Sequence, residues 1–314
     1  MLPEITVFII SFIVLSYAGS LLVRSLTRIS EVLGLSEYIV AFVLMSIATS
    51  IPELFIGLSA VAQGIPDLSL GNVLGTNLLT LTIIIGVIAI ASNGIKVDSK
   101  ISHQNFFLIF FIAFLPVLLG TDGIISRGDG VLLLMVFSIY VWRLLGEKEY
   151  FTKRIEEIEF DLASILGAFK NFRRFFLGIA LLIASSFSIV WASKGIVEGM
   201  DISFLAFGIL FIALGTSLPE LVFGIRAAFM KHESMTLGNS LGSIAFNATF
   251  IVGITAIFSP MKTDFGDGMF FVSLFLFISF LLFNFFSYTK SAVSRKEGVV
   301  LVLLYIVFLF FQIL

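Results

Sequence analysis

Ten apolar runs follow one another along the chain, each bounded by charge or by glycine and proline. They cover residues 3–23, 36–62, 68–94, 104–120, 130–146, 175–193, 202–229, 235–260, 268–288 and 298–313. A helix needs roughly 20 apolar residues to cross a bilayer, so the pattern predicts ten transmembrane helices. A membrane β-barrel would instead show short segments of alternating hydrophobicity, and the sequence has none. One long polar connection, 147–174 (EKEYFTKRIEEIEFDLASILGAFKNFRR), divides the runs five and five. Its alternating charges predict a solvated, partly helical linker. The second and seventh runs are unusual, because each carries a proline followed by a glutamate in its middle.

Composition agrees with a membrane protein. Hydrophobic residues make up 59% and charged residues 13% of the chain, and the mean hydropathy is +1.11. Soluble domains hold about 45–50% apolar and about 25% charged residues. The absence of cysteine excludes a disulfide framework, a thiolate metal site and a cysteine nucleophile. A net charge of −2 gives no reason to expect a nucleic-acid partner, and no obligatory protein partner is evident. The first run lacks the positive flank of a signal peptide and carries Glu4, so it reads as a retained first helix.

Positive charge then sets the orientation. Arg24, Arg28, Lys96, Lys100, Arg143, Lys148, Lys153, Arg154, Lys170, Arg173, Arg174, Arg226, Lys231, Lys290, Arg295 and Lys296 fall on one side of the ten spans. Only Arg127, Lys194 and Lys262 fall on the other. Basic loops stay in the cytoplasm, so the linker is expected inside and both termini outside, in the cell (inner) membrane.

The chain also repeats itself. IATSIPELFIGLSA at 47–60 matches LGTSLPELVFGIRA at 214–227, and LGNVLGT at 70–76 matches LGNSLGS at 237–243. Both matches have one offset, 167, which also aligns Glu31 with Glu198, Gly86 with Gly253 and Ser92 with Ser259. Ungapped agreement over about sixty residues indicates a duplicated unit of five helices. Because five is odd, the second copy enters the membrane upside down. The expected fold is an all-α integral membrane protein of ten transmembrane helices in two inverted five-helix repeats. The divisions are 1–146 for the first repeat, 147–174 for the linker and 175–314 for the second repeat. Inverted repeats are the common plan of secondary transporters, whose sites lie at the midplane where interrupted helices meet.

The interruptions carry chemistry. Proline has no N–H, so Pro52 removes the helical partner of the Ala48 carbonyl and Pro219 that of Gly215. Unpaired carbonyls cost several kcal/mol in hydrocarbon, unless protein, water or a cation satisfies them. Glu53 and Glu220 follow directly, and an intramembrane carboxylate marks a functional site by default. In the third and eighth runs, Asn72, Thr76 and Thr80 recur every four residues, as do Asn239, Ser243 and Asn247, which places each trio along one helical face. Two carboxylates, hydroxyls, amide oxygens and freed carbonyls form a hard-oxygen set. Such a set suits Ca²⁺, which takes about 6–8 oxygens, and Na⁺-like ions, but not zinc or copper.

The paired ATSIPE and GTSLPE, with GNVLGTNLL and GNSLGSIAF, resemble the α-repeats of the cation/calcium antiporter superfamily, in particular its sodium/calcium exchanger branch and prokaryotic members. The resemblance covers nearly the whole chain. It implies exchange of Ca²⁺ for Na⁺, or for H⁺ in some branches, by alternating access, with no cofactor beyond the transported ions. It also implies the ligand set: Glu53 and Glu220 at the centre, Thr49, Ser50, Thr216 and Ser217 in the broken helices, the carbonyls near Ser46 and Ala213, and Thr76 and Ser243 from the second motif. Four residues beyond that motif's serine the family has Asn or Asp; here the positions hold Thr80 and Asn247, neither of them acidic.

Plainer readings apply to single features. Proline alone can be a kink, a lone threonine commonly bonds its own helix, and small-xxx-small spacing is usually helix packing. Asn72, Asn239 and Asn77 fit a cap or a bridge of broken backbone as well as an ion contact. His103 and His232 read as solvated loop residues and Arg226 as a snorkelling end residue. An intramembrane hydrolase would need histidines at metal spacing or a nucleophile–base pair, and the sequence offers neither, so no enzyme activity is expected. The remaining alternatives are a proton-coupled or other divalent-cation exchanger and a cation sensor that does not transport.

Overall fold

The computed structural model describes residues 2–32, 45–96, 103–146, 162–200, 202–229, 233–263, 267–290 and 292–313. Residues 36–44 of the second expected span, residues 147–161 of the expected linker, and His232 lie outside the described residues.

Among the described residues, helical segments lie on each of the ten apolar runs. α1 is Leu2–Val32. α2 is broken into Ser46–Thr49 and Ile51–Ala62. α3 comprises Asp67–Leu79, a π-helical stretch Thr80–Ile84, and Ile85–Ala91. α4 is His103–Leu119, α5 is Arg127–Gly146 and α6 is Leu162–Met200. α7 runs through Phe204–Phe207, the π stretch Gly208–Ile212 and Ala213–Thr216, then restarts as Leu218–Phe229. α8 joins Glu233–Phe246, the π stretch Asn247–Ile251 and Val252–Phe258. α9 is Asp267–Lys290 and α10 is Arg295–Ile313. Among the described residues, six helices are long and apolar enough to cross a membrane: Leu2–Leu22, Asp67–Ala91, Phe176–Met200, Phe204–Phe229, Thr236–Phe258 and Met269–Ser287.

The 167-residue offset of the sequence recurs in local structure. The helix breaks at Ser50 and Ser217 are related by it, and so are the π stretches Thr80–Ile84 and Asn247–Ile251. Two short strand pairs close the ends. β1 (Ile95–Lys96) pairs antiparallel with β4 (Ala292–Val293), and β2 (Ile124–Ile125) pairs antiparallel with β3 (Met261–Lys262). The first pair carries Lys96 and lies next to Lys290 and Arg295, whereas the second carries Lys262 and precedes Arg127. Charges assigned to opposite sides of the membrane thus sit on different strand pairs.

Capping starts the two last helices of the halves alike. Ser126 donates its N–H and hydroxyl to Asp129 Oδ2 at 2.8 and 2.7 Å, and Ser294 does the same to Glu297 Oε2 at 2.7 and 2.7 Å. Both are capping boxes that supply acceptors to otherwise unpaired helix-start donors. The same two helices reach across the halves through glycines. A Cβ on Gly86 of α3 would stand 2.8 Å from the Gly298 carbonyl oxygen of α10, and one on Gly253 of α8 would stand 3.0 Å from the Gly130 oxygen of α5.

Apolar packing forms two clusters. The larger draws on α3, α4, α5, α7, α8, α9 and α10, with Leu78, Ile85, Ile244, Leu276 and Phe308 fully enclosed. The smaller joins α1 (Phe12, Leu15, Ala18, Leu22) to α6 (Leu182, Ile189, Val190) over Ile56 and Ala60 of α2 and Ile212 of α7. Polar contacts tie α6 to the end of α2: Ser59 and Ser186 hydroxyls lie 3.0 Å apart, Gln63 Nε2 donates to the Phe187 oxygen at 3.0 Å, and Lys194 Nζ donates to the Gln63 oxygen at 2.7 Å. α1 stands directly behind both helix breaks, where a Cβ on Gly19 would meet Pro219 Cγ at 3.2 Å and Pro52 Cγ at 3.3 Å.

Candidate cation site

The broken helices place their polar residues inward. Each break follows from proline. Pro52 and Pro219 cannot donate to the carbonyl four residues back, and each fits the first turn of a new helix, where the N–H is unused anyway. The chain therefore turns at Ser50 and Ser217 and restarts as Ile51–Ala62 and Leu218–Phe229. Around the turns the backbone stays paired: Ser50 N–H donates to the Ser46 oxygen and Ser217 N–H to the Ala213 oxygen, both at 3.1 Å. The Ser46 and Ala213 carbonyls also receive hydroxyls, from Ser243 and Ser217 respectively.

All twelve residues expected in the site are buried. Ser46, Thr49, Ser50 and Glu53 come from α2, Thr76 and Thr80 from α3, Ala213, Thr216, Ser217 and Glu220 from α7, and Ser243 and Asn247 from α8. Hydrogen bonds cross between the halves. Ser50 Oγ donates to Glu220 Oε1 at 3.4 Å and Thr80 Oγ1 to Glu220 Oε2 at 3.1 Å. Ser243 Oγ reaches the Ser46 oxygen at 3.4 Å and lies 3.3 Å from Thr49 Oγ1. Thr76 Oγ1 lies 3.5 Å from Thr216 Oγ1, and Ser217 Oγ donates to the Ala213 oxygen at 2.7 Å. Glu53 and Glu220 are close enough for their charges to act on each other.

The unpaired atoms define what the site lacks. Both oxygens of Glu53 and Oδ1 of Asn247 are buried with no hydrogen-bond partner among the described residues. Buried acceptors are normally satisfied, and a buried unpaired carboxylate is costly. Three such oxygens, beside hydroxyls that can turn their lone pairs inward, call for a positive ion. Among the described residues no group of three or more His, Cys, Asp or Glu comes together.

Three residues outside that expected set are hydrogen-bonded to members of it. Asn72 Oδ1 accepts from Thr216 Oγ1 at 3.1 Å, and Asn239 Oδ1 accepts from Thr49 Oγ1 at 3.2 Å. Asn77 Oδ1 accepts from Asn247 Nδ2 at 3.3 Å, which fixes the Asn247 amide with its oxygen unpaired. Their spacing along α3 and α8 is visible in the sequence, but their partners lie on the opposite half of the chain.

A family model described as sodium/calcium exchanger protein matches residues 4–146 and 171–314. The chain is similar to the sodium/calcium exchanger MaX1 of Methanosarcina acetivorans, with 27% identity over 96% of each chain. It is similar as well to an uncharacterized membrane protein of Methanocaldococcus jannaschii, with 27% identity over 96% of this chain and 95% of the relative. Among solved structures, one of the sodium-calcium exchanger NCX_Mj superposes with a TM-score of 0.70 and 26% identity, covering 97% of both chains.

Proposed function

Because the chain belongs to the sodium/calcium exchanger family, we propose that it is a secondary antiporter exchanging Ca²⁺ for Na⁺ at one midplane site shared by two inverted five-helix repeats. The observation that carries this reading is the set of buried oxygens on Glu53 of the first half and Asn247 of the second that find no partner among the described residues, beside a buried Glu220. Ca²⁺ or Na⁺ would bind Glu53 and Glu220 with the hydroxyls of Thr49, Ser50, Thr76, Thr216, Ser217, Thr80 and Ser243, the Asn247 amide oxygen and the Ser46 and Ala213 carbonyls. The two ions then compete, since each neutralises the same carboxylates.

The apolar packing of α1 and α6 supports alternating access. α1 and α6 pack on each other in a cluster that also takes in Ile56 and Ala60 of α2 and Ile212 of α7, and Gly19 of α1 meets both prolines. A glycine there lets α1 come close to both breaks, and rocking of the α1–α6 pair over that contact would expose the site to one side at a time. The distribution of Lys and Arg supports an inner-membrane orientation with both termini outside.

The deciding experiment is ⁴⁵Ca²⁺ uptake into proteoliposomes under imposed Na⁺, K⁺ or H⁺ gradients, repeated with Glu53→Gln and Glu220→Gln. The reading expects uptake driven by Na⁺ and lost in both variants. Uptake that follows a pH gradient with Na⁺ absent identifies a proton-coupled exchanger instead. Binding without flux identifies a sensor, and wild-type exchange in either variant removes the site.

A further inference from the structure

We propose that Asn72 and Asn239 are positioning residues of the cation site, each holding the hydroxyl of the threonine at the opposite half's helix break. The inference rests on the cation-site reading above. Thr216 donates to Asn72 Oδ1 at 3.1 Å, and Thr49 donates to Asn239 Oδ1 at 3.2 Å. The two pairs are related by the 167-residue offset of the repeat, so one arrangement occurs twice and each time bridges the halves.

A threonine hydroxyl has one proton and two lone pairs, and the direction of the proton decides where the lone pairs go. Inside a helix that proton ordinarily returns to a carbonyl three or four residues back. Those acceptors are present: the Ile212 and Ala213 oxygens lie 3.3 and 3.4 Å from Thr216 Oγ1, and the Ser46 oxygen lies 3.3 Å from Thr49 Oγ1. In both cases the asparagine oxygen is nearer. Drawing the proton across the interface relieves Ser46 and Ala213 of a competing donor and leaves the hydroxyl lone pairs for an ion.

The asparagine oxygens themselves do not serve as ligands. Asn72 Oδ1 accepts from Thr216 Oγ1 at 3.1 Å and lies 3.5 Å from Thr76 Oγ1, so hydroxyl donors already occupy the atom that a cation would need. The amide nitrogen of Asn72 is buried with no partner among the described residues, so the oxygen is the end of the group that these hydroxyl contacts hold. Asn72 therefore acts through Thr216, and Asn239 acts through Thr49.

The test is a crossed double-mutant cycle on Ca²⁺ affinity, measured by calorimetry on the full chain in detergent. Asn72→Ala and Thr216→Val are each expected to weaken binding by about three- to tenfold, the size of one hydrogen bond. Their combination is expected to be no weaker than the worse single variant. Asn72→Ala with Thr49→Val is expected to multiply the two losses, and Asn239→Ala should show the mirror pattern. Multiplication within the pairs, or Asn72→Ala binding as tightly as the parent, overturns the proposal. Asn72→Asp keeps an oxygen acceptor of the same shape, so in that background Thr216→Val should still cost its full loss. Disappearance of that loss overturns the proposal even where the alanine variant does not fold. Threonine variants that both bind normally overturn the cation site itself, whereas threonine losses without the crossed coupling overturn only the positioning role.

Discussion

Thr80 donates its hydroxyl to Glu220 across the two halves of the chain at 3.1 Å. The residue at the equivalent position in the second half, Asn247, makes no such bond. It turns its nitrogen to Asn77 at 3.3 Å, and Glu53 is left with both oxygens unpaired. The two carboxylates thus differ in their surroundings: Glu220 accepts the Thr80 and Ser50 hydroxyls directly, whereas no hydroxyl approaches Glu53 as closely. Neither Thr80 nor Asn247 adds a third acid.

Two carboxylates balance one Ca²⁺ or two Na⁺, and a third Na⁺ in a low-dielectric site would stand uncompensated. Exchange is therefore expected to be electroneutral. Na⁺-driven ⁴⁵Ca²⁺ uptake should proceed at one rate whether valinomycin and K⁺ clamp the membrane potential at zero or at a large value. Asn247→Asp supplies the missing charge and should make uptake sensitive to potential. Potential-dependent wild-type uptake would sink the charge argument, and unchanged coupling in the variant would show that position 247 does not set it.

The two hydroxyls on Glu220 should contribute unequally. Thr80 lies at 3.1 Å and Ser50 at 3.4 Å, and hydrogen bonds to charged groups weaken as they lengthen. Thr80→Val keeps the shape of the side chain and is expected to lower Ca²⁺ affinity about tenfold, roughly one bond to a charged group. Ser50→Ala is expected to cost about threefold. Equal or reversed losses in a binding titration would mean that these two distances do not rank the hydroxyls' contributions to ion binding.

Much of this was legible in the sequence because a membrane restricts the options. Runs such as 130–146 and 268–288 correspond to α5 and α9 within a few residues, since only helices satisfy the backbone in lipid at that length. The ATSIPE and GTSLPE breaks fall where proline requires them. Boundaries set by charge were less reliable. α6 begins at Leu162, well inside the stretch expected as linker, and α1 continues past Arg24 to Val32. A helix need not end where the bilayer does, and LASILGAF keeps a helical apolar pattern among its charges. The π stretches Thr80–Ile84 and Asn247–Ile251 leave no periodic signal, because the extra residue per turn shifts the stripe only locally. The roles of Asn72 and Asn239 were equally hidden, because their hydroxyl partners belong to the other half.

Gly75 fixes how closely α3 meets α7. A Cβ there would stand 2.5 Å from the Ile209 oxygen and 2.8 Å from Ala213 Cβ, both parts of the wall that presents Thr216. Backbone cannot retreat as a flexible side chain can, and overpacking costs about 1–3 kcal/mol. Gly75→Ala is expected to lower the melting temperature by several degrees and weaken Ca²⁺ binding. Gly128→Ala is the control, since its nearest neighbour would be Ser126 Oγ at 3.5 Å. Equal melting of Gly75→Ala and the parent would refute this close approach of α3 and α7.

Cation binding should reverse the order of stability between the parent and Glu53→Gln. With chelator and without Na⁺, the parent buries two carboxylates near each other, one of them with no partner. Glutamine at position 53 removes that repulsion and desolvation, so the variant is expected to melt higher. Ca²⁺ at about a hundred times its dissociation constant then adds about 2.7 kcal/mol to the parent alone, raising its melting temperature by roughly 5–10 °C. The variant, lacking the central charge, should hardly move. The two melting curves are therefore expected to exchange places as Ca²⁺ is added. A variant that melts below the parent in chelator would mean that Glu53 has a stabilising partner in the ion-free protein. A variant that still shifts with Ca²⁺ would move the binding site away from Glu53.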